Sequence, residues 1–146
     1  MTSGMLVDSN VVIAAIASAH PHHVASAHLL QQPAGLAMAS HSYAEVFVQL
    51  TRQGPSAPVG MTADEAWAAI QALTMGIATV GLTPTQTLES VREYASMGGI
   101  GARLYDWLIG RAAVESGLKV IVTWNVRHMR GLFPDLDVMT PVQALA

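Results

Sequence analysis

The stretch Met5-Leu6-Val7-Asp8-Ser9-Asn10, continuing into Val11-Val12-Ile13-Ala14-Ala15-Ile16, constrains the fold of this chain more than any other. A short apolar run stops at a carboxylate, and a second apolar run rich in alanine follows at once. The pattern reads as a buried parallel strand ending at Asp8, a turn at Ser9-Asn10 and a helix. A carboxylate at the carboxyl end of a central strand has no packing role, and in open α/β sheets that edge is where ligands bind. Asp8 equally suits the N-cap of the helix that follows. What separates the two readings is whether other carboxylates reach the same point.

Length and composition narrow the setting. The 146 residues suit one domain, residues 1–146, with a real core. A hydrophobic fraction of 51% with 12% charged residues excludes disorder. No window approaches the ~18 to 20 apolar residues of a membrane helix, and the start lacks the pattern of a secretory signal. Cysteine is absent, which excludes disulfides and thiolate metal sites. The expectation is a cytoplasmic protein without membrane contact. A net charge of −3 excludes a broad basic footprint, so nucleic acid would need a local basic patch or a bound cation.

Along the chain, helix and strand signals alternate. A helix is expected over 20–32, with Val24, Leu29 and Leu30 on its apolar side. Its opening, His20-Pro21-His22-His23, resembles a metal-ligand run, but clustered histidines at a polar helix start are usually solvated. A strand over 35–39 precedes a helix over 42–52, buried through Val46, Phe47 and Leu50, with Glu45 in its first turn. Thr62-Ala63-Asp64-Glu65 forms a capping box opening a helix to about Met75, which Gly76 can end. A strand over 77–80 leads to Thr83-Pro84-Thr85-Gln86, a second helix start, with Gly98-Gly99 as its stop. A helix over 102–116 should pack through Leu104, Leu108, Ala112, Val114 and part of Trp107, and end at Gly117. Asp106 falls inside it, a poor place for aspartate unless function demands it, although an exposed pair with Arg103 is the plain alternative. A strand over 119–123 ends in Thr123-Trp124-Asn125; a short helix over 126–131, a strand near Val138 and a helix from Pro141 close the chain. This alternation predicts an α/β fold with a central parallel sheet and right-handed crossovers.

Asp8, Glu45, Asp106 and Asn125 stand out, because a parallel sheet brings the carboxyl ends of its strands to one edge. In order and spacing, Val7-Asp8-Ser9-Asn10, Glu45, Tyr105-Asp106 and Thr123-Trp124-Asn125-Val126-Arg127-His128 resemble the PIN domain, most nearly the VapC-type toxins of bacterial toxin–antitoxin pairs. The resemblance implies a three-layer α/β/α fold and metal-dependent endonucleolytic cleavage of RNA, checked by a cognate VapB-type antitoxin. It implies that Asp8 and Asp106 are the principal metal ligands and that Glu45 binds metal directly or through water. Asn125 stands where many members have a fourth acid, and His128 where many have a second aspartate of this motif. Both departures remove negative charge and argue for one metal rather than two.

The residue types suit that chemistry. Hard cations such as Mg²⁺ or Mn²⁺ prefer oxygen ligands and relieve repulsion among clustered carboxylates. No covalent nucleophile with a base is evident, so water is the expected attacking group. Thr123 either positions that water or an acid ligand, or makes a strand-end hydrogen bond. Arg52, Arg103, Arg111, Arg127 and Arg130 are candidates for phosphate contacts, with Arg127 and Arg130 best placed, then Arg103. Arg111 is expected to pair with Glu115 instead. A homodimer is expected, with an antitoxin segment lying in a groove near the site as a helix or an extended peptide. A signalling receiver domain does not fit: Asp8 lacks an adjacent acid, and the sole lysine, Lys119, begins its strand. A PIN-like module that binds RNA or protein without cutting is the remaining alternative.

Overall fold

Helix and strand alternate as the sequence predicts in the computed structural model, which describes residues 4–32 and 35–146. In chain order the elements are β1 (Met5–Val7), α1 (Ser9–Ile16), α2 (His23–Leu30), β2 (Leu36–Ala39), α3 (Ser40–Thr51), α4 (Ala63–Leu73), β3 (Ala78–Val80), α5 (Pro84–Ser96), a 3₁₀ turn (Gly101–Arg103), α6 (Leu104–Glu115), β4 (Val120–Val122), α7 (Val126–Leu132), β5 (Asp137–Met139) and α8 (Pro141–Leu145). The single unit expected over 1–146 includes residues 1–3 and 33–34, which lie outside the described residues. No helix of the described residues is long and apolar enough to cross a membrane.

The strands form a parallel sheet in the order β3-β2-β1-β4-β5. The chain runs outward from β1 through β2 to β3, then returns to the other side of β1 for β4 and β5. Strand order therefore reverses between β1 and β4, the point where such sheets open a crevice at their carboxyl ends. Val7 pairs with Val122, so the next residues, Asp8 and Thr123, emerge side by side at that edge.

Strand alternation divides the core. Val7, Met38 and Val122 face α1, α2, α3 and α4, whereas Leu6, Ile121 and Val138 face α6 and α7. The result is the expected three-layer α/β/α arrangement. Burying each of these large aliphatic side chains stabilises the fold by roughly 1.5 to 3 kcal/mol. On the second face Trp107 stacks on Phe133 with ring centroids 4.8 Å apart, and its indole N–H donates to the Ser90 carbonyl at 2.8 Å. That stack needs Gly110, because a Cβ there would overlap the Phe133 ring.

Local signals were obeyed where side chains complete them. Thr62 with Glu65, and Thr83 with Gln86, form the expected capping boxes. Gly98 and Gly117 take positive φ just past the ends of α5 and α6. Several boundaries differ. Helix α4 ends at Leu73 rather than near Met75, with Thr74 as its C-cap, whose N–H donates to the Ile70 carbonyl at 3.0 Å. Helix α2 begins at His23, and its buried side is Ser26, Leu29 and Leu30; Val24 is 79% exposed. Val114 is likewise exposed, since it lies on the outer side of α6. Helix α3 begins at Ser40, two residues early, so Glu45 lies in its second turn rather than its first.

Candidate active site

Asp8 is the best-buried carboxylate of the site, 3% exposed at the end of β1. Its backbone places it there: Asp8 N–H donates to the Val122 carbonyl at 2.9 Å, and the residue then caps α1. Oδ1 accepts from the Ser9 amide at 2.7 Å, and Oδ2 accepts from the Thr123 hydroxyl at 2.8 Å. The capping reading made from sequence therefore holds, and the charge of Asp106 also acts on Asp8.

Thr123 is the hub of this edge. Its oxygen donates to Asp8 while accepting from the Asn10 amide and the Asn125 backbone N–H, each at 3.0 Å. Asn10 in turn accepts from the Trp124 backbone N–H at 3.2 Å. The turn expected at Ser9-Asn10 is instead the first turn of α1, which aims Asn10 across at β4. Sequence reading did not single out Asn10 as a site residue; its place two residues after Asp8 was the available signal.

Glu45 and Asp106 are the other two acids singled out by the sequence. Burial first, then the charges of Asp8 and Asp106, push the Glu45 carboxyl up to about 7 from its ordinary 4.5. Asp8 is pushed up to about 6 from 3.8 by burial, opposed by the Thr123 hydrogen bond and aided by the charge of Asp106. Burial is the larger cause of both shifts, and the charge of the neighbouring acids is the smaller one. Oε1 of Glu45 is buried without a hydrogen-bond partner, and His41 Nε2 stands 3.8 Å from it. Burial lowers His41 below its ordinary value, which favours the neutral ring. His41 was not among the candidates read from sequence.

Asp106 lies in the first turn of α6, because the preceding residues form a separate 3₁₀ turn. An acid there complements the helix dipole, so its position carries no penalty of the kind expected inside a helix. It does not pair simply with Arg103. His128 Nε2 stands 3.1 Å from Asp106 Oδ2, and Arg103 Nη1 stands 3.0 Å from His128 Nδ1. Burial raises the Asp106 carboxyl, opposed by His128 and then Arg103.

Asn125 is exposed at the N-cap of α7, and its side chain makes no cap bond. It lines a cleft of about 490 Å³ with Arg103, Arg127, His128, Gly131 and Leu132. Arg127 is exposed there, whereas Arg130 donates to the Val138 carbonyl at 3.1 Å. Arg111 pairs with Glu115 at 3.1 Å, as the sequence suggested.

Among the described residues no three acidic or histidine side chains already form a metal-holding group. The acids nevertheless suit a cation on two grounds. A buried carboxylate oxygen of Glu45 has no partner, and the charge of Asp106 adds to the burial that keeps Asp8 and Glu45 from ionising. A hard divalent ion removes both costs, with oxygen ligands as such ions prefer.

The sheet reversal, the buried acid at its crevice and the ordered motifs define a class that sequence comparison names. A family model described as the PIN domain matches residues 5–130, and the chain belongs to that family. Among curated proteins none matches significantly. Solved structures with the same fold include VapC20 of Mycobacterium tuberculosis, described as a sarcin-ricin loop cleaving toxin, at 16% identity and TM-score 0.65, covering 81% of this chain and 87% of that one. VapBC-1 of nontypeable Haemophilus influenzae matches at 17% identity and TM-score 0.64, over 94% and 98% of the chains. DNA-bound VapBC of Salmonella typhimurium matches at 19% and 0.65, over 96% and 99%.

Proposed function

We propose that this protein is a divalent-metal-dependent endoribonuclease of the VapC type, acting in the cytoplasm as the toxin of a toxin–antitoxin pair. The observation that carries this reading is Asp8: a carboxylate almost fully buried at the sheet's switch point, raised by burial and by Asp106, and held by Thr123. Such a group is costly unless a cation or substrate uses it.

Asp8, Glu45 and Asp106 would hold one Mg²⁺ or Mn²⁺. When bound, the ion supplies the positive charge that acidifies an attacking water and offsets charge developing on the scissile phosphate. Thr123 fixes the orientation of Asp8 through Oδ2, and Asn10 fixes Thr123. Asn125, which lines the cleft with Arg127, would orient water or a phosphate oxygen through its amide. Arg127 and Arg103 line that cleft and offer forked donors to the RNA backbone. Arg130 takes part with the donors left by its bond to Val138. The similarity to VapBC structures supports a VapB-type antitoxin as partner. A homodimer belongs to the same reading, and light scattering at tens of micromolar would check it.

One observation favours a second reading. Asp106 already engages His128, and Asn125 brings no charge, as a PIN-like module that binds RNA or protein without cutting would show. Asp8→Asn separates the two. The exchange keeps size and capping ability, since Asn and Asp rank together at N-caps. It should abolish Mn²⁺-dependent cleavage of RNA and growth inhibition while melting stays within a few degrees. A mutant that cuts at the wild-type rate would remove Asp8 from the mechanism.

A further inference from the structure

Trp124 sits between the two residues that shape the candidate active edge, Thr123 and Asn125, and does something neither of them does. Its indole stacks flat on the His22 imidazole, with centroids 3.8 Å apart and planes 11° from parallel. The indole N–H donates to the buried Ser26 hydroxyl at 2.8 Å, which fixes the ring in plane. His22 is exposed, ahead of α2, and its side chain makes no cap bond. The pair borders a recess of about 560 Å³ lined also by Pro21, Val24, His28 and Val142. No acid lines it, in a protein of net charge −3.

Consecutive residues reach this recess and the Asn125–Arg127 cleft. Trp124 lines the first, and Asn125 lines the second. A nucleotide strand crossing those two residues would place a phosphate against Arg127 and the adjoining base over His22. We infer that Trp124 and His22 form a stacking platform for one unpaired base of the RNA, next to the bond that is cut. The inference rests on the ribonuclease reading for its substrate class. Every base has a π-face, so stacking on aromatic rings holds single-stranded nucleic acid, and unpaired bases are what proteins read in RNA. Trp124 is the fixed lower layer and His22 the exposed upper one. His22 thus contacts substrate, which gives one residue of the His20-Pro21-His22-His23 run a role other than metal binding.

The test uses an RNA oligonucleotide cut by the wild-type protein in Mn²⁺, in intact form and with single abasic residues flanking the cut. His22→Ala should raise KM about tenfold on intact RNA with kcat changed less than about twofold, the split expected for lost binding alone. His22→Phe, which restores a flat face, should bring KM back. One abasic position should raise the wild-type KM similarly, and His22→Ala should then add nothing. Wild-type KM in His22→Ala, or equal losses on intact and abasic RNA, would overturn the inference. If wild-type protein cuts no RNA, the ribonuclease reading falls and binding of a fluorescein-labelled single-stranded RNA decides. Affinity lost in His22→Ala and regained in His22→Phe sustains the platform; affinity indifferent to His22, or no binding, overturns it.

Discussion

The Thr123 hydroxyl donates to Asp8 Oδ2 at 2.8 Å, tying the end of β4 to the end of β1 across the sheet's switch point. The same oxygen accepts from Asn10 and from the Asn125 backbone. Thr123→Val keeps the shape and removes all of these bonds. It should lower stability by about 2 kcal/mol through unpaired buried groups, and lower kcat through a misaligned Asp8. Thr123→Ser should recover most of both. Denaturant unfolding and single-turnover cleavage measure the two effects.

Stability of the metal-free protein should fall as pH rises. Asp8 is raised to about 6 from 3.8, and Glu45 to about 7 from 4.5. A raised carboxyl binds its proton more tightly in the folded than in the unfolded state. Its contribution is full below about pH 4 and is lost as pH passes through about 6 and then 7. The melting temperature without metal should be higher at pH 5 than at pH 8, the two carboxyls outweighing His41, whose lowered value works in the opposite sense. In Asp8→Asn the slope should be shallower. A wild-type profile that rises over this window would contradict the placement of these acids.

Added Mn²⁺ should reverse that trend, because it binds the ionised acids. At a hundred times its Kd, a ligand specific to the folded state stabilises by ~2.7 kcal/mol. The gain should be large at pH 8 and small at pH 5. Asn125→Asp restores an acid beside the set and should tighten Mn²⁺ binding, measured by titration calorimetry. Equal affinity in both proteins would place Asn125 outside the metal's reach.

Two arginines should behave oppositely. Arg127 lines the open cleft, whereas Arg111 is paired with Glu115. Arg127→Ala should weaken RNA binding and reduce the salt dependence of log Kd by about one unit of slope, as for loss of one phosphate contact. Arg111→Ala should leave both unchanged. Binding titrations over a range of salt concentrations distinguish them.

Much of this protein is written locally. The first apolar run, the capping boxes at Thr62 and Thr83 and the stop at Gly117 follow from neighbours within a few residues, so the sequence alone determined the alternation of strand and helix and thereby the layered class. It also determined that Asp8 and the Thr123-Asn125 turn share an edge, because parallel strands end on one side. Tertiary structure decided what those residues meet. Asn10 reaches Thr123 across a gap of 113 residues, and His128 reaches Asp106, through register and helix packing that no local pattern encodes. The burial that raises Asp8 and Glu45 also depends on helices from distant parts of the chain. The 3₁₀ turn before α6 changed the meaning of Asp106 by making an apparent interior residue a first-turn one. Trp124 gave no sign of its stack on His22, since a ring's partner is fixed only when separate elements come together. Local chemistry thus set which groups were available at the edge, and long-range packing set their partners, their burial and so their charge.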